Sequence, residues 1–190
     1  MIKSLYPIFQ KWSATGSVYI ISDTHFNDPD CKFMNPLWIP ATQAAKILTD
    51  KIRKPDMLIH LGDVGDSKYL TSLKCHKVLI TGNHDVLSKV ASTFDEVYNG
   101  PLFIADRILL SHEPIYGLED FCINIHGHVH QGVHYLYNEE LDRCTHINMA
   151  SDVCNYIPMN LGKEIKTGLL KEVPNYHRIT IDKATERAKI

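Results

Sequence analysis

The sequence predicts an α/β protein in which strands and helices alternate through the first half and strands dominate the second half. Short apolar, β-branched runs recur along the chain and end in polar turns that often contain glycine. A stretch between the first two runs carries apolar residues at helical spacing. The chain has 190 residues, of which 44% are hydrophobic, and a domain of this size buries roughly 70% of its unfolded surface. We therefore expect a single domain over residues 1–190.

The first half predicts three strands, each followed by a polar segment. Their content of Val, Ile and Leu is typical of buried strands, and they are expected at Val18–Ser22, Met57–Leu61 and Lys77–Ile80. Between the first two strands, Ala44, Leu48 and Ile52 lie at helical spacing, which predicts a helix over about Ala41–Arg53. A shorter helix is expected over about Lys68–Lys74.

The second half predicts short strands with close turns. They are expected at about Glu96–Tyr98, Leu102–Ile104, Ile108–Ser111, Cys122–His126, Gly132–Tyr137 and Thr145–Met149. A surface helix over Leu161–Val173 is predicted next, weakened by its two glycines. The last residues favour a further strand and a frayed helical end. Apolar residues among the first seventeen would suit either a helix docked on the core or a contact with a partner.

Composition and charge exclude several classes of protein. A net charge of -2 and a pI of 6.6 give no basic surface of the kind that duplex binding needs. These values disfavour nucleic acid as a partner but do not exclude a small basic patch on the surface. Five cysteines without a CxxC pair do not resemble a disulfide framework. Because the start of the chain has no signal-peptide pattern and no window approaches ~20 apolar residues, we expect a cytoplasmic protein without a membrane partner.

Five polar motifs follow predicted strands and carry metal-ligand chemistry. They are Asp23-Thr24-His25, Gly62-Asp63-Val64-Gly65-Asp66, Gly82-Asn83-His84-Asp85, Ser111-His112-Glu113-Pro114 and Gly127-His128-Val129-His130. Loops at strand ends gather in one crevice of a layered α/β protein. Carboxylates, imidazoles and one amide suit Mn, Fe, Co or Zn. Seven ligand candidates exceed the four of one tetrahedral ion, which predicts two ions sharing a bridging carboxylate.

Each motif also has a structural interpretation. The first two would suit ordinary turns after a strand, and His112 alone would suit a hydrogen-bonded histidine at a strand end. A turn does not call for the histidine of Gly82-Asn83-His84-Asp85. His128 and His130 would project to one side if their segment were a regular strand. His60 and His126 are expected to be buried and hydrogen-bonded rather than direct ligands. The occurrence of all five motifs in this order favours the metal site.

This order of motifs, DxH, GD, GNHD, H and GHxH, resembles that of the calcineurin-like metallophosphoesterase superfamily from about Val18 to about Pro158. The later segment INMASDVCNYIP is similar to a small bacterial and viral subgroup of predicted phosphoesterases. The resemblance implies a four-layer α/β/β/α sandwich, with two mixed β-sheets packed face to face and flanking helices. The domain core would span about residues 17–158, followed by a C-terminal extension over residues 159–190.

The resemblance also implies a role for each site residue. One ion would be held by Asp23, His25 and His130 with Asp63 as the bridge, and the other by Asp63, Asn83, His112 and His128. His84 matches the family histidine that contacts the phosphate and protonates the leaving oxygen. Asp66 matches an acidic residue that orients that histidine in some members. Mn is the expected ion, with Fe, Zn, Ni and Co as alternatives.

The expected function is hydrolysis of small phosphodiesters or phosphomonoesters, including cyclic nucleotides and nucleotide derivatives, by a hydroxide that bridges the two ions. The chain has little beyond the core fold, so the site should be exposed, and the loop Asn27–Pro40 would either select substrates or pack over the core. Alternatives are a nuclease, a protein phosphatase or a non-catalytic scaffold, and a homo-oligomer is left open. Ser67 stands where protein phosphatases have an arginine, and the presence of His84 argues against a scaffold.

Overall fold

A computed structural model describes residues 3–4, 14–34, 38–104 and 106–175. The apolar N-terminal set that includes Leu5, Ile8 and Trp12 falls outside these ranges. The strand and helical end expected after Asn175 also fall outside the described residues.

The strands of the described residues are β1 (Lys3–Ser4), β2 (Val18–Ile21), β3 (Met57–His60), β4 (His76–Ile80), β5 (Glu96–Tyr98), β6 (Leu102–Ile104), β7 (Ile108–Leu110), β8 (Ile123–His126), β9 (Tyr135–Asn138), β10 (Arg143–Asn148) and β11 (Met159–Asn160). The α-helices with described ends are α1 (Cys31–Met34), α2 (Ala41–Lys51), α3 (Leu87–Val90) and α4 (Leu161–Thr167). Two 3₁₀ turns lie at Ser67–Leu70 and Ala91–Thr93. No helix in the described part of the chain is both long and apolar enough to cross a membrane.

The described strands form two mixed sheets. The order β11-β2-β3-β4-β5 makes one sheet, in which the four strands from β2 to β5 run parallel and β11 pairs antiparallel with β2. The order β1-β6-β7-β8-β10-β9 makes the other, in which β7, β8 and β10 run parallel. Residues 159–167, from the expected C-terminal extension, therefore supply an edge strand and α4 to the fold.

The hydrophobic core joins the two sheets. Ile20 and Ile59 of one sheet belong to the same buried cluster as Ile125 and Ile147 of the other. All four residues of β3 are buried, as expected for a parallel strand that is covered on both faces. On α2 the buried residues Ala41, Ala44 and Leu48 recur at helical spacing, so one stripe of the helix packs on the core. The four-layer α/β sandwich expected from the sequence is confirmed.

Element boundaries differ from the sequence expectations where local geometry ends an element. The helix expected over Leu161–Val173 ends at Thr167, because Gly168 adopts a φ of 112° and its N–H bonds back to Glu164 and Ile165. The helix expected over Lys68–Lys74 is instead the 3₁₀ turn at Ser67–Leu70. The strand expected from Gly132 begins at Tyr135.

The parallel strands set the position of the polar motifs. β2, β3 and β4 end at the same edge of their sheet, and β7 and β8 end together in the other. An isolated bridge between Ser22 and Ala150 and another between Phe26 and Gly65 tie the loops at these ends together. Loops from both sheets therefore meet at one end of the sandwich.

Candidate metal centre

All seven expected ligands lie in loops that follow these strand ends. Asp23 and His25 follow β2, Asp63 follows β3, Asn83 follows β4, His112 follows β7, and His128 and His130 follow β8. Four of them have left-handed backbone, with φ of 53° at Asp23, 39° at His25, 55° at Asp63 and 66° at His128. Such conformations are costly for residues other than glycine and cluster at functional sites.

One group of ligands consists of Asp23, His25 and His130. Their ligand atoms lie within 4.8 Å of one another. The Oδ1 atom of Asp23 is 4.0 Å from Nε2 of His25 and 3.6 Å from Nε2 of His130. Two atoms that share an ion at ~2.1 Å lie roughly 3 to 3.5 Å apart, so a small contraction would bring this group to coordination distances.

A second group consists of Asp63, His112 and His128, again within 4.8 Å of one another. The Nε2 atom of His112 is 3.4 Å from Oδ2 of Asp63 and 3.2 Å from Nδ1 of His128. Oδ1 of Asn83 lies 2.8 Å from the same Nε2 atom. The structure thus brings all four residues expected around the second ion to one point.

Asp63 lies between the two groups. Its Oδ2 atom is 3.7 Å from Nε2 of His25 in the first group and 3.4 Å from Nε2 of His112 in the second. Its Oδ1 atom accepts a hydrogen bond from the backbone N–H of His84 at 2.9 Å. This carboxylate therefore has the position that a bridging ligand requires.

Two buried atoms of the first group show that the residues fit a metal ion. Oδ1 of Asp23 and Nε2 of His25 are both buried and have no hydrogen-bond partner in the described structure. Buried polar atoms are normally satisfied, and an orphaned one calls for an explanation such as an ion. The two atoms point to the same place and are suitable ligands for a transition metal.

The electrostatics of the site also favour a cation. Burial raises the pKa of Asp23. Burial would do the same for Asp63, but the neighbouring His112, the His84 backbone and His25 lower its pKa to about 2. Burial would lower the pKa of His112, but Asp63 and Asp23 outweigh it and raise that pKa to about 9. Buried carboxylates at this point attract positive charge, which metal ions would supply in place of protons.

Three carboxylates to which the sequence analysis assigned no role hold the ligands in place. Asp152 accepts hydrogen bonds from Nδ1 of His130 at 3.0 Å and from the backbone N–H of Gln131 at 2.8 Å. Nδ1 of His25 lies 3.1 Å from Asp28. A carboxylate on the far nitrogen fixes the ring so that Nε2 faces the ion.

The third carboxylate, Asp85, ties two ligand loops together. It accepts the backbone N–H of Asp63 and of Val64 at 2.9 Å each, and that of Gly82 at 3.0 Å. Asp85 stands in the GNHD motif and was therefore visible in the sequence, whereas Asp28 and Asp152 lacked a local pattern that would indicate their partners.

His84 and Asp66 lie beside the metal groups. The His84 ring is exposed, and its centroid is 5.6 Å from that of His25. Asp66 forms an ion pair with Lys68, accepts the Lys68 backbone N–H at 3.3 Å and lies 3.4 Å from Nδ2 of Asn27. The Lys68 contact lowers the pKa of Asp66. Asp66 thus caps the 3₁₀ turn, and its expected contact with the His84 ring stays a prediction.

His128 and His130 lie in a tight turn and not in a regular strand, so the condition under which they would project to one side is not met. β8 ends at His126, and the Val129 N–H bonds to Gly127 and that of His130 to His128. The two histidines belong to different metal groups, as the resemblance implied. The turn, rather than strand alternation, allows one short motif to serve both positions.

His60 and His126 are buried and hydrogen-bonded, as expected. Nδ1 of His60 accepts the Gly62 N–H at 3.2 Å, so its Nε2–H donates to Thr24 at 3.0 Å. Burial lowers the pKa of His60 to about 3 and that of His126 to about 4. Both rings are therefore neutral parts of the scaffold under the ligand loops.

The loop Asn27–Pro40 contributes to the site only in part. Asn27 and Asp28 line a groove beside His84. Phe33 is 76% exposed and Trp38 is 41% exposed, which disfavours the alternative that these two rings pack over the core. The carbonyl of Met34 accepts a hydrogen bond from the Gln131 side chain at 3.0 Å and so links the loop to the GHxH segment.

Comparisons with known proteins identify the family to which this fold belongs. Residues 17–151 match the calcineurin-like phosphoesterase superfamily domain. An uncharacterized protein of Methanocaldococcus jannaschii, MJ1445, is 30% identical over 164 residues, which cover 78% of this chain and 89% of that protein. The crystal structure of a protein of unknown function from Aquifex aeolicus, AQ665, has a TM-score of 0.63 and 28% identity, covering 80% of this chain and 98% of that one. The protein therefore belongs to the calcineurin-like phosphoesterase superfamily.

Proposed function

We propose that the protein hydrolyses small phosphodiesters or phosphomonoesters with two divalent metal ions, Mn being the expected one. The observation that carries the proposal is the pair of ligand groups that share Asp63. His84 lies directly beside them. When bound, two such ions would lower the pKa of a water molecule and neutralise the phosphate oxygens.

The chain's own residues would orient the substrate and move one proton. Asp28 and Asp152 keep Nε2 of His25 and of His130 directed at the first ion position. The backbone N–H of His84 is fixed on Asp63, which holds the exposed ring at the edge of the site. From there the imidazole would protonate the leaving oxygen, a role in which histidine is the side chain that enzymes use most often.

Asp66 would act with His84 once a substrate is bound. Catalytic hydrogen bonds are often long or unformed in free enzymes, and Asp66 lines the same groove as His84. Its proposed role is to accept a hydrogen bond from the His84 ring and thereby hold that ring in orientation.

The first experiment is an assay of metal-stripped protein with and without Mn²⁺ on bis-p-nitrophenyl phosphate and p-nitrophenyl phosphate. We expect Mn²⁺ to restore turnover. Asp63→Asn should lose both Mn²⁺ binding and turnover. His84→Ala should keep Mn²⁺ binding, and its kcat should fall by roughly 10²- to 10⁴-fold on phenyl esters and by less on p-nitrophenyl esters, whose leaving group needs less help from an acid.

His134→Ala is the matched control, because it removes a histidine that lies outside both ligand groups. It should leave turnover unchanged. A wild-type protein that binds two Mn²⁺ ions but hydrolyses no ester would contradict the proposal and favour a scaffold with this fold.

A further inference from the structure

Two grooves open beside the metal centre and share no lining residue. The first, which we name the His84 groove, has a volume of about 410 Å³ and is lined by residues that include Phe26, Asn27, Asp66, His84, Val86 and Lys89. The second, the His112 groove, has a volume of about 400 Å³ and is lined by residues that include Thr81, Asn83, Pro101, His112, Glu113 and Pro114. Each is large enough for one ring-sized group.

A single loop divides the two grooves. Asn83 lines the His112 groove, whereas the next residue, His84, lines the His84 groove. The loop is held in place by the Gly82 N–H on Asp85 and by the His84 N–H on Asp63. Since Asp63 lies between the two ligand groups, a phosphate at the centre would have one groove on either side of this loop.

The His84 groove fits the leaving group of the reaction. Its walls combine apolar side chains, such as Phe26 and Val86, with the polar groups of Asn27 and Lys89. Because the proposed function assigns the proton on the leaving oxygen to His84, the alcohol that departs must lie in the groove that His84 lines. A phosphomonoester would need only this groove.

We propose that the natural substrate is a phosphodiester, with its leaving alcohol in the His84 groove and its retained alcohol in the His112 groove. This inference rests on the proposed function and narrows it. The His112 groove has apolar walls, Pro101 and Pro114 among them, which suit an organic substituent better than a bare phosphate oxygen.

The charge of the His112 groove favours the same class. Its carboxylate, Glu113, is exposed and lies next to the ligand His112 in sequence. A phosphomonoester carries up to two negative charges and a phosphodiester one, so this carboxylate repels the monoester more strongly. The groove therefore selects for an ester in which a second oxygen is covered by an organic group.

The test measures kcat/KM of the Mn²⁺-loaded protein on bis-p-nitrophenyl phosphate and on p-nitrophenyl phosphate. We expect the wild type to favour the diester. Glu113→Trp fills the His112 groove and should lower the ratio of diester to monoester kcat/KM by roughly tenfold or more, mainly through KM. Glu113→Gln separates charge from bulk and should lower the same ratio by a smaller factor. Pro101→Trp fills the groove from another side and serves as a second variant.

The His84 groove has its own matched pair of variants. Val86→Trp should lower kcat/KM for both esters by a similar factor, because both leaving groups use this groove. Leu87→Trp changes the next exposed apolar residue, which lines neither groove, and should change neither rate. Thermal unfolding and Mn²⁺ affinity of each variant identify any that fails to fold or disturbs the ions.

The outcomes separate this inference from the proposed function. If the wild type turns over esters but prefers the monoester, or if neither groove-filling variant changes the ratio, the diester assignment is wrong and the hydrolase stands. If the Mn²⁺-loaded wild type hydrolyses neither ester, both are overturned. A lowered ratio in Glu113→Trp and Pro101→Trp, with an unchanged ratio in Val86→Trp, supports the assignment.

Discussion

Gly127 is a residue at which one added methyl group should disrupt the metal centre directly. A Cβ atom at this position would lie 2.0 Å from Oγ of Ser22 and 2.2 Å from Oδ2 of Asp23. Both neighbours are buried, and Oδ2 of Asp23 accepts the His128 N–H at 2.9 Å. Gly127→Ala must therefore displace either the Asp23 carboxylate or the segment that carries His128.

The size of the displacement predicts the loss of metal binding. The contact with Ser22 must widen from 2.0 Å to about 3.4 Å, the ordinary limit of van der Waals contact. Metal–ligand distances tolerate only about 0.2 Å. We expect the Mn²⁺ affinity to fall by more than about 100-fold, beyond the 10- to 100-fold cost of losing an outer hydrogen bond. Overpacking of this kind lowers the free energy of unfolding by about 1–3 kcal/mol.

The assay is calorimetric Mn²⁺ titration, together with urea unfolding in EDTA. Gly162→Ala is the matched control, because its Cβ would meet only Oδ1 of Asn160 at 3.6 Å. It lies in α4 and should keep Mn²⁺ affinity while leaving stability unchanged or raising it by up to ~1 kcal/mol. A folded Gly127→Ala variant that binds Mn²⁺ as tightly as the wild type would refute the steric argument and the placement of Asp23.

Three further predictions concern groups around the site. Asp152→Asn should weaken Mn²⁺ binding by about 10- to 100-fold because it releases His130. The control Asp142→Asn, on an exposed turn, should not change the Mn²⁺ affinity. Equal Mn²⁺ affinities in the two variants would contradict the role of Asp152. The pKa of His60 is about 3 in the folded state and near 6.5 in the unfolded state, so the unfolded state binds more protons between these two pH values. Through this group the free energy of unfolding of the metal-free protein should fall by about 2 kcal/mol between pH 7.5 and pH 5. In His60→Gln the fall over the same pH range should be smaller by about 2 kcal/mol. Burial raises the pKa of all five thiols, so a thiol-reactive dye should react slowly with the native protein and with five equivalents after unfolding; an immediate native reaction would contradict this.

The sequence predicted those parts of the fold that have strong local signals. β2, β3 and β4 were found within two residues because each contains a short apolar run whose residues are mostly buried. The two-residue strands β1 and β11 carry no such signal and depend on pairing with β6 and β2. Burial and pairing over long sequence separations set these edges, and no local pattern encodes them.

The candidate site shows the same division. The ligand residues could be named from the sequence because five motifs share one arrangement, a polar loop directly after a strand. The hydrogen bonds that orient these ligands could not be predicted, since partners such as Asp152 and His130 are 22 residues apart in the chain. The left-handed backbone at Asp23 and His128 could not be predicted from the sequence either. Tertiary contacts impose these conformations on residues that do not prefer them.

Both ligand groups combine residues from the two sheets, and this predicts how metal removal affects stability. Asp23 and His25 follow a strand of one sheet and His130 follows a strand of the other, while Asp63 meets His112 and His128 in the same way. Each ion would therefore link the two sheets in the folded state.

A ligand that binds only the folded state stabilises it by an amount that grows with its concentration, about 4 kcal/mol at 1,000 times Kd. We expect the Tm of the wild type to rise steadily with added Mn²⁺ and to fall to a constant value in EDTA. Asp63→Asn removes the shared ligand and should make Tm nearly independent of Mn²⁺. The EDTA value of this variant should lie below that of the metal-free wild type, because the substitution leaves the His112 imidazolium without its buried carboxylate partner. A Tm that does not respond to Mn²⁺ in the wild type would show that these residues do not join the sheets through metal.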